Sequence, residues 1–419
     1  MAEYKIQGFL NLIPDLTINE RYIPESLQYP QNAKLIGVRS LHGTGKTEWL
    51  AKKIAYYLAN HQKVIIIVHR EQLARELARR FGIDYRTEVK DNQCFGQFGY
   101  ALCIDSLHPK AKPAFDPEAK QWEDAVVIID EVEQVLWHLL NGGTCQKNRV
   151  RILKTFKQLL QRVAQSKEGK IFIADADLCS ISINYLEQLI GYKVPKFIVN
   201  NSYVPKAERL LYRFLKKDPG ELISHLENNI KKGHKVIIHT DGQKYQSTWG
   251  TRTLESYFKR KFPSLKILRI DRKTVTQKKR DAFGCIDKLN EIIQKFDIVV
   301  CSPVIETGVS IDVNHFDSVY VLSHGVQTVN SVCQSMQRVR SNIPRYVWCK
   351  QWSPHQIGNG SNDIKSLLAS THKLASAQIG LLQKMGITEA NDVSFYEESE
   401  DIKILFPFIN RLGETSGYY

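Results

Sequence analysis

Between residues 40 and 47 the chain reads SLHGTGKT. Gly43 and Gly45 flank Thr44, and Lys46 and Thr47 follow at once. Glycines at this spacing let a backbone turn tightly with its amides facing inward, where they can cradle two phosphates. Lys46 is placed to reach the outer phosphates, and Thr47 can offer its hydroxyl to a magnesium ion. The usual pattern begins with glycine, and here Ser40 takes that place. A second acidic element, VVIIDEVE, spans residues 126–133. Asp130 closes an apolar run, so its carboxylate can hold the magnesium through water. Glu131 beside it can orient and deprotonate an attacking water. Two acids at this place could merely cap a helix. With the glycine loop upstream, they point to ATP hydrolysis rather than binding alone.

Two further segments lie near the other end, SPVIETGVSID (302–312) and QSMQRVR (334–340). Gln334 and Arg338 are four apart and share one helical face, with Arg340 two residues on. A guanidinium offered to a γ-phosphate across a cleft is an arginine finger, and it couples hydrolysis to domain closure. The plainer reading is a basic helix with solvated arginines.

These groups need elements to hold them. LIGV (35–38) reads as a strand entering the loop, and TEWLAKKIAYYLAN (47–60) as the helix leaving it, with Leu50, Ile54 and Leu58 on one face. KVIIIV (63–68) is an almost purely β-branched run, as a strand covered on both faces should be. A helix pattern follows in EQLARELARRF (71–81); ALCI (101–104), AVVIID (125–130) and KIFIAD (170–175) are further buried strands. That alternation predicts a parallel α/β sheet with crossover helices. It recurs in KVIIHT (235–240), LKILRID (265–271), FDIVVCS (296–302), SVYVLS (318–323) and RYVWC (345–349). The expected architecture is therefore two tandem α/β domains with parallel sheets at 31–200 and 201–355, joined through NSYVPKAE. Residues 1–30 are read as a loosely packed N-terminal extension and 356–419 as a mostly helical C-terminal region.

The 419 residues allow two or three domains with real cores. With 58 Lys plus Arg against 44 Asp plus Glu, the formal charge of +14 favours an anionic partner such as nucleic acid. The eight cysteines form no CxxC pair, which argues against structural zinc and a disulfide framework and for buried free thiols in a reducing cytoplasm. No stretch approaches the roughly eighteen apolar residues of a membrane helix, and the N-terminus does not read as a secretion signal.

The order of segments resembles that of superfamily 2 helicases and translocases, which implies that the two α/β domains are tandem RecA-like domains. SLHGTGKT resembles their motif I, VHREQLARELARRFG (68–82) motif Ia, IDSLH (104–108) motif Ib and DEVE (130–133) motif II. ADAD (174–177) stands where motif III should be, SPVIETGVSID resembles motif V, and QSMQRVR motif VI. More narrowly, GTGKTEWL, HR after the second strand, DSLH, DEVE, ADADL and the span from SPVIETGVSID to FDSVY are similar to the helicase part of cyanobacterial plasmid replication proteins of the CyRepA type. More distantly the chain resembles herpesvirus origin-binding helicases. The likeness covers roughly residues 30–350.

The resemblance implies that Lys46 and Thr47 bind phosphate and magnesium, and that Asp130 and Glu131 are metal ligand and catalytic base. It gives Asp175 the task of relaying the nucleotide state toward nucleic acid, Gly308 and Asp312 that of coupling the two sites, and Gln334, Arg338 and Arg340 a place facing the γ-phosphate. There are departures. Glu133 replaces the commoner Asp or His, and ADAD replaces a Ser-Ala-Thr type of motif III. The position seven residues after the glutamine, where a finger is common, is Ser341, so Arg338 and Arg340 both stay open. No adenine-reading glutamine motif precedes the loop. Larger relatives carry a primase-like module, expected here on a separate chain.

A nucleic-acid track is expected on loops at strand ends: Arg70 after the second strand, Asp105 and Ser106 after the third, and Thr240 in the second domain. His69 reads more readily as structural, and Trp348 as core. The basic stretch DRKTVTQKKR (271–280) is either a contact or a solvated loop. The leading expectation is an ATP-dependent DNA helicase or translocase of plasmid or mobile-element replication, acting on single-stranded or forked DNA. The alternatives are an ATPase that remodels protein–DNA complexes without unwinding, and a nucleotide-gated binding module without sustained turnover.

Overall fold

The computed structural model describes residues 12–89, 98–204, 210–242, 247–303, 310–327 and 329–351. The chain divides into two compact units with the boundary between residues 205 and 206. In the first unit the elements run β1 (Leu16–Ile18), β2 (Leu35–Arg39), α1 (Lys46–Ala59), β3 (Val64–Val68), α2 (Glu71–Phe81), β4 (Asp84–Tyr85), β5 (Gly99–Cys103), β6 (Val126–Asp130), α3 (Val132–Asn141), α4 (Arg149–Gln165), β7 (Lys170–Asp175), α5 (Ser180–Ile190) and β8 (Lys196–Asn201). They build an eight-stranded sheet in the order β1-β8-β2-β7-β6-β3-β5-β4, parallel throughout.

Covering both faces of this sheet explains its apolar runs. Ile65 and Ile67 of β3 belong to the core that includes Val132 and Leu136 of α3, Phe156 of α4 and Leu186 of α5. Val64, Ile66 and Val68 belong to the opposite core, with Trp49, Leu50 and Ile54 of α1 and Leu73 and Leu77 of α2. Side chains alternate across a strand, so a strand buried on both faces needs apolar residues at every position.

The second unit runs β9 (Leu211–Phe214), α6 (Gly220–Lys231), β10 (Val236–Thr240), α7 (Thr251–Lys261), β11 (Ile267–Ile270), α8 (Leu289–Ile293), β12 (Ile298–Cys301), β13 (Ser318–Ser323), α9 (Val329–Gln337) and β14 (Arg345–Cys349). Its six strands are parallel in the order β11-β12-β10-β13-β14-β9, again with an apolar core on each face. Each unit is thus a parallel sheet flanked by helices, the architecture of tandem RecA-like domains.

The strands that periodicity misses are β1, β4, β8 and β9. Three of them lie at sheet edges. β9 is exposed over most of its length, and β8 is only partly buried at Lys196, Phe197 and Asn200. An edge strand buries less, so its apolar signal is weak. The N-terminal segment is a correction to the expected loose packing. Asp15 N–H donates to Ile198 O at 2.8 Å, Ile198 N–H donates to the Asp15 carboxylate at 2.7 Å, and β1 then pairs with β8. Ile23 and Leu27 are buried in the core beside α1. The expected helical region at 356–419 lies outside the described residues.

Seven of the cysteines are described, none of them in a disulfide, and five are buried. Among the described residues no helix is long and apolar enough to cross a membrane.

Candidate functional site

Three neighbouring strands, β2, β7 and β6, end side by side at Arg39, Asp175 and Asp130. Their carboxyl ends form the edge where parallel α/β sheets hold ligands. The loop of residues 40–45 leaves β2 at this edge and enters α1. Gly43 and Gly45 have φ of 74° and 79°. Nothing crowds a side chain at Gly43, so the left-handed backbone itself requires glycine there. Ser40 is buried, and its hydroxyl lies 2.5 Å from that of Thr44, which also donates to Leu41 O at 2.6 Å. A serine at the first place of the loop thus has partners that a glycine would lack.

Lys46 folds back over the loop, its Nζ donating to Ser40 O at 2.5 Å and Leu41 O at 3.1 Å. Burial pushes its ammonium down from the ordinary lysine range, and the charges of Asp175, Asp130, Glu131 and Asp177 oppose that. Asp130 is buried too, and burial pushes its carboxyl up against the pull of Lys46, the Glu131 amide and Thr47. Thr47 Oγ1 stands 3.5 Å from Asp130 Oδ2. A hydroxyl and a carboxylate brought together beside a phosphate loop fit magnesium, which takes oxygen ligands and leaves the remaining places to water and phosphate. Thr47 and Asp130 would hold such an ion, and it would neutralise charge on the phosphates.

Glu131 adopts φ 55° and ψ 53°, a left-handed conformation unusual for a residue with a side chain. Such strain concentrates at functional positions. The buried His69 places Nδ1 3.8 Å from Glu131 Oε2. His69, expected to be structural, therefore lies against the candidate base.

The two departures from the helicase pattern meet each other. Glu133 N–H donates to Asp175 Oδ2 at 2.9 Å, and Asp177 N–H to Asp175 Oδ1 at 2.9 Å. The Glu133 carboxylate in turn accepts from Cys179 N–H at 3.3 Å. DEVE and ADAD are thereby joined. Burial, then the charge of Glu133, pushes the Asp175 carboxyl up to about 7. Neither spacing nor residue type alone would have revealed this contact, although both residues stood out as unusual.

In the second unit Gln334 is buried on α9, and its Oε1 has no hydrogen-bond partner among the described residues. Arg338 N–H donates to Gln334 O at 3.0 Å, which extends the last turn of α9. The charge of Arg338 acts on buried His239 at the end of β10, where burial first and Arg338 second hold the imidazole down at about 4. Beyond Arg338, Val339 bridges to Ile311, and Arg340 Nε lies 3.2 Å from Asp312 Oδ1. That pair is open to solvent, with Arg340 60% exposed. The segments that contain Asp312 and Arg340 are thus brought together; Gly308 lies outside the described residues. Arg345 belongs to none of the sequence motifs. It is buried at the start of β14, and its guanidinium donates to Met336 O at 3.1 Å, Val339 O at 2.7 Å, Ser341 O at 3.2 Å and Ile343 O. It fixes the path of the segment that carries Arg338 and Arg340.

The expected track residues sit where strand ends place them. Arg70 precedes α2, and Asp105 and Ser106 form a tight turn after β5 in which the Ser106 hydroxyl donates to Asp105 at 3.1 Å. Thr240 ends β10 but is buried, and its hydroxyl donates to Trp249 O at 2.9 Å. Its side chain is an internal brace rather than an outward group. Trp348 is core, as expected, with Nε1 donating to Lys216 O at 2.8 Å. Lys278, Lys279 and Arg280 are exposed.

No family model matches the chain. An uncharacterized protein of Picosynechococcus sp. is 41% identical over 368 residues, which is 86% of this chain and 36% of that protein. A protein of Acanthamoeba polyphaga mimivirus, provisionally named a replication origin-binding protein, is 27% identical over 91% of this chain and 49% of its own length. The chain thus spans about a third to a half of these curated relatives. Among solved structures, Mss116p bound to ssRNA and AMP-PNP superposes with a TM-score of 0.52 at 17% identity, over 77% of this chain and 67% of that one. The DUF1998 helicase MrfA bound to DNA and AMPPNP does so with a TM-score of 0.50 at 14% identity, over 84% of this chain and 55% of that one.

The fold is like that of these solved helicases. Within it, the loop at residues 40–47, DEVE and ADAD occupy adjacent strand ends of the first unit, and QSMQRVR follows β13 of the second.

Proposed function

We propose that the chain is an ATP-dependent DNA helicase or translocase of superfamily 2, serving replication of a plasmid or related mobile element in the cytoplasm. The observation that carries this reading is the convergence of Lys46, Thr47, Asp130 and Glu131 at the carboxyl edge of one sheet, with the acids and the lysine close enough to perturb one another. In this reading the amides of Gly43, Thr44, Gly45 and Lys46 cradle the phosphates of ATP, Thr47 and Asp130 hold magnesium, and Glu131 orients the attacking water and takes its proton. Gln334 and either Arg338 or Arg340 face the γ-phosphate on closure, while Gly308 and Asp312 couple the nucleotide to the nucleic acid. Arg70, Asp105, Ser106 and the backbone at Thr240 contact single-stranded or forked DNA. The net charge of +14 supports an anionic partner. Names given to related proteins support a replication context, and so does the resemblance to plasmid replication helicases. A primase or other replication proteins would act beside it.

The test is ATP hydrolysis by the purified protein, measured against single strands, duplexes and forks of both DNA and RNA, with strand displacement followed in parallel. Stimulation by DNA together with displacement is expected. Turnover without displacement would make the protein a remodeller, and turnover indifferent to every nucleic acid would remove the motor reading.

A further inference from the structure

The phosphate loop is shaped from outside by a side chain that no motif contains. Asn201, at the end of β8, is buried, and both ends of its carboxamide are fully used. Its Oδ1 accepts from Glu20 N–H at 3.1 Å and Tyr203 N–H at 3.2 Å. Its Nδ2 donates to Glu20 O at 2.8 Å and to the Ser40 hydroxyl at 3.0 Å. One group therefore ties three pieces of chain: the loop through Ser40 and Thr44, the N-terminal segment through Glu20, and the start of the connection between units through Tyr203.

The N-terminal segment held this way also grips the loop. Ile23 N–H donates to Thr44 O at 3.0 Å, and Arg21 donates to Gly43 O at 3.3 Å. The Arg21 guanidinium lies over the rings of Tyr22 and Tyr203, 4.9 Å and 5.7 Å from their centroids. Tyr22 packs on the loop, with its Cδ1 3.5 Å from where a Cβ at Gly45 would sit. A trans peptide is planar, with its N–H opposite its C=O. Drawing the carbonyls of Gly43 and Thr44 toward residues 21–23 therefore turns the amides of Thr44 and Gly45 the other way. Those are amides that the proposed site needs for phosphate.

We infer that Asn201 is a positioning residue for nucleotide binding: with Ser40 and Arg21 it holds the loop carbonyls outward so that the loop amides face the phosphates. This rests on the reading of the loop as the ATP site and names what pre-forms it. Removing the hold should weaken binding of substrate and transition state alike, which raises KM and leaves kcat nearly intact. Residues that act on the reacting atoms behave in the opposite way.

The experiment is steady-state ATP hydrolysis and equilibrium binding of an ATP analogue by the whole chain, for wild type, Asn201→Ala, Ser40→Ala, Arg21→Ala and Arg21→Lys, with a thermal melt for each. Asn201→Ala should raise KM and the analogue's Kd by about tenfold, and Ser40→Ala or Arg21→Ala by about threefold, with kcat within about twofold. Arg21→Lys should recover part of the loss. The double variant Asn201→Ala/Ser40→Ala should bind no worse than Asn201→Ala, because both remove the same link. If Asn201→Ala does not fold, Ser40→Ala and Arg21→Ala still read the hold at the loop. Unchanged KM and Kd in the folded variants, or a fall confined to kcat, would overturn the inference while leaving the ATP site intact. A wild type that neither hydrolyses ATP nor binds the analogue would overturn the ATP site itself, and this inference with it.

Discussion

Both units place polar residues at the carboxyl ends of parallel strands, yet they use them differently. In the first unit Thr47, Asp130, Lys46 and the Asp175–Glu133 pair surround one another, and burial pushes Asp130 and Asp175 up and Lys46 down. In the second, the charged groups around α9 and β10 are held on separate supports. Arg340 pairs with Asp312 in solvent, Arg338 extends α9 beside His239, and Asp241 accepts from the backbone and Nδ1 of His324. The first arrangement concentrates carboxylates and one cation as a phosphate-transfer site requires. The second also buries two carboxylates, Glu255 and Asp271, but both close on the Arg269 guanidinium, at 2.6 Å and 3.1 Å, so that cluster is paired within itself. Sheets of the same architecture thus arrange buried charge at their strand ends differently, since what a site can do is set by its loops and not by the fold.

The sharpest way to break this comparison is to remove the first unit's groups. Lys46→Ala and Glu131→Gln should each lower ATP turnover by about 10²–10⁴-fold with the fold intact, as read by phosphate release and a thermal melt. Undiminished release from either variant would take the chemistry out of the first unit. Next comes the second unit's cation. Arg338→Ala should cost about 10³-fold in kcat, the low end for an arginine finger, whereas Arg340→Ala should cost less than about tenfold because its guanidinium already has a carboxylate partner. The reverse order would make the Asp312 pair a latch that opens to release the finger.

The smaller effects concern pH, and the two units should differ in sign. The Asp175 carboxyl holds a proton up to about pH 7, against 3.8 for an ordinary aspartate, so the folded state binds a proton that the unfolded chain has lost. Stability should therefore fall as pH rises through that window, and Asp175→Asn should flatten the slope. His239 does the opposite. Its imidazole stays neutral down to about 4, against 6.5 when unfolded, so stability should fall as pH drops from 6.5 toward 4. His239→Asn should remove that loss. Thermal melts of the two variants and wild type across this range check both signs, and equal slopes in all three would mean that neither buried group controls stability.

The strands that carry the site were legible for a simple reason. A strand buried on both faces must be apolar at every position, so VIIIV, VVIID and KIFIAD announce themselves. The edge strands β1, β4 and β9 bury less and were silent, and so was β8, whose partly buried polar ends blunt its pattern. The site divided in the same way. Glycines with positive φ, a lysine and acids at a strand end leave a local trace, because the neighbouring backbone imposes them. His69 against Glu131, Arg345 behind QSMQRVR, and Asn201 behind the loop leave none, since each meets its partner through the fold and not along the chain.

What the sequence determined by itself, then, is what short-range physics controls: which runs form buried strands, where the loop must bend, and which residue types stand at strand ends. Strand order and the meeting of distant side chains belonged to the tertiary structure. Glu133 finds Asp175 across 42 residues, and Asn201 finds Ser40 across 161, because β2, β7 and β6 end side by side with β8 next to β2. A hydrogen bond depends on distance in space, and separation along the chain carries no information about that until the sheet is assembled.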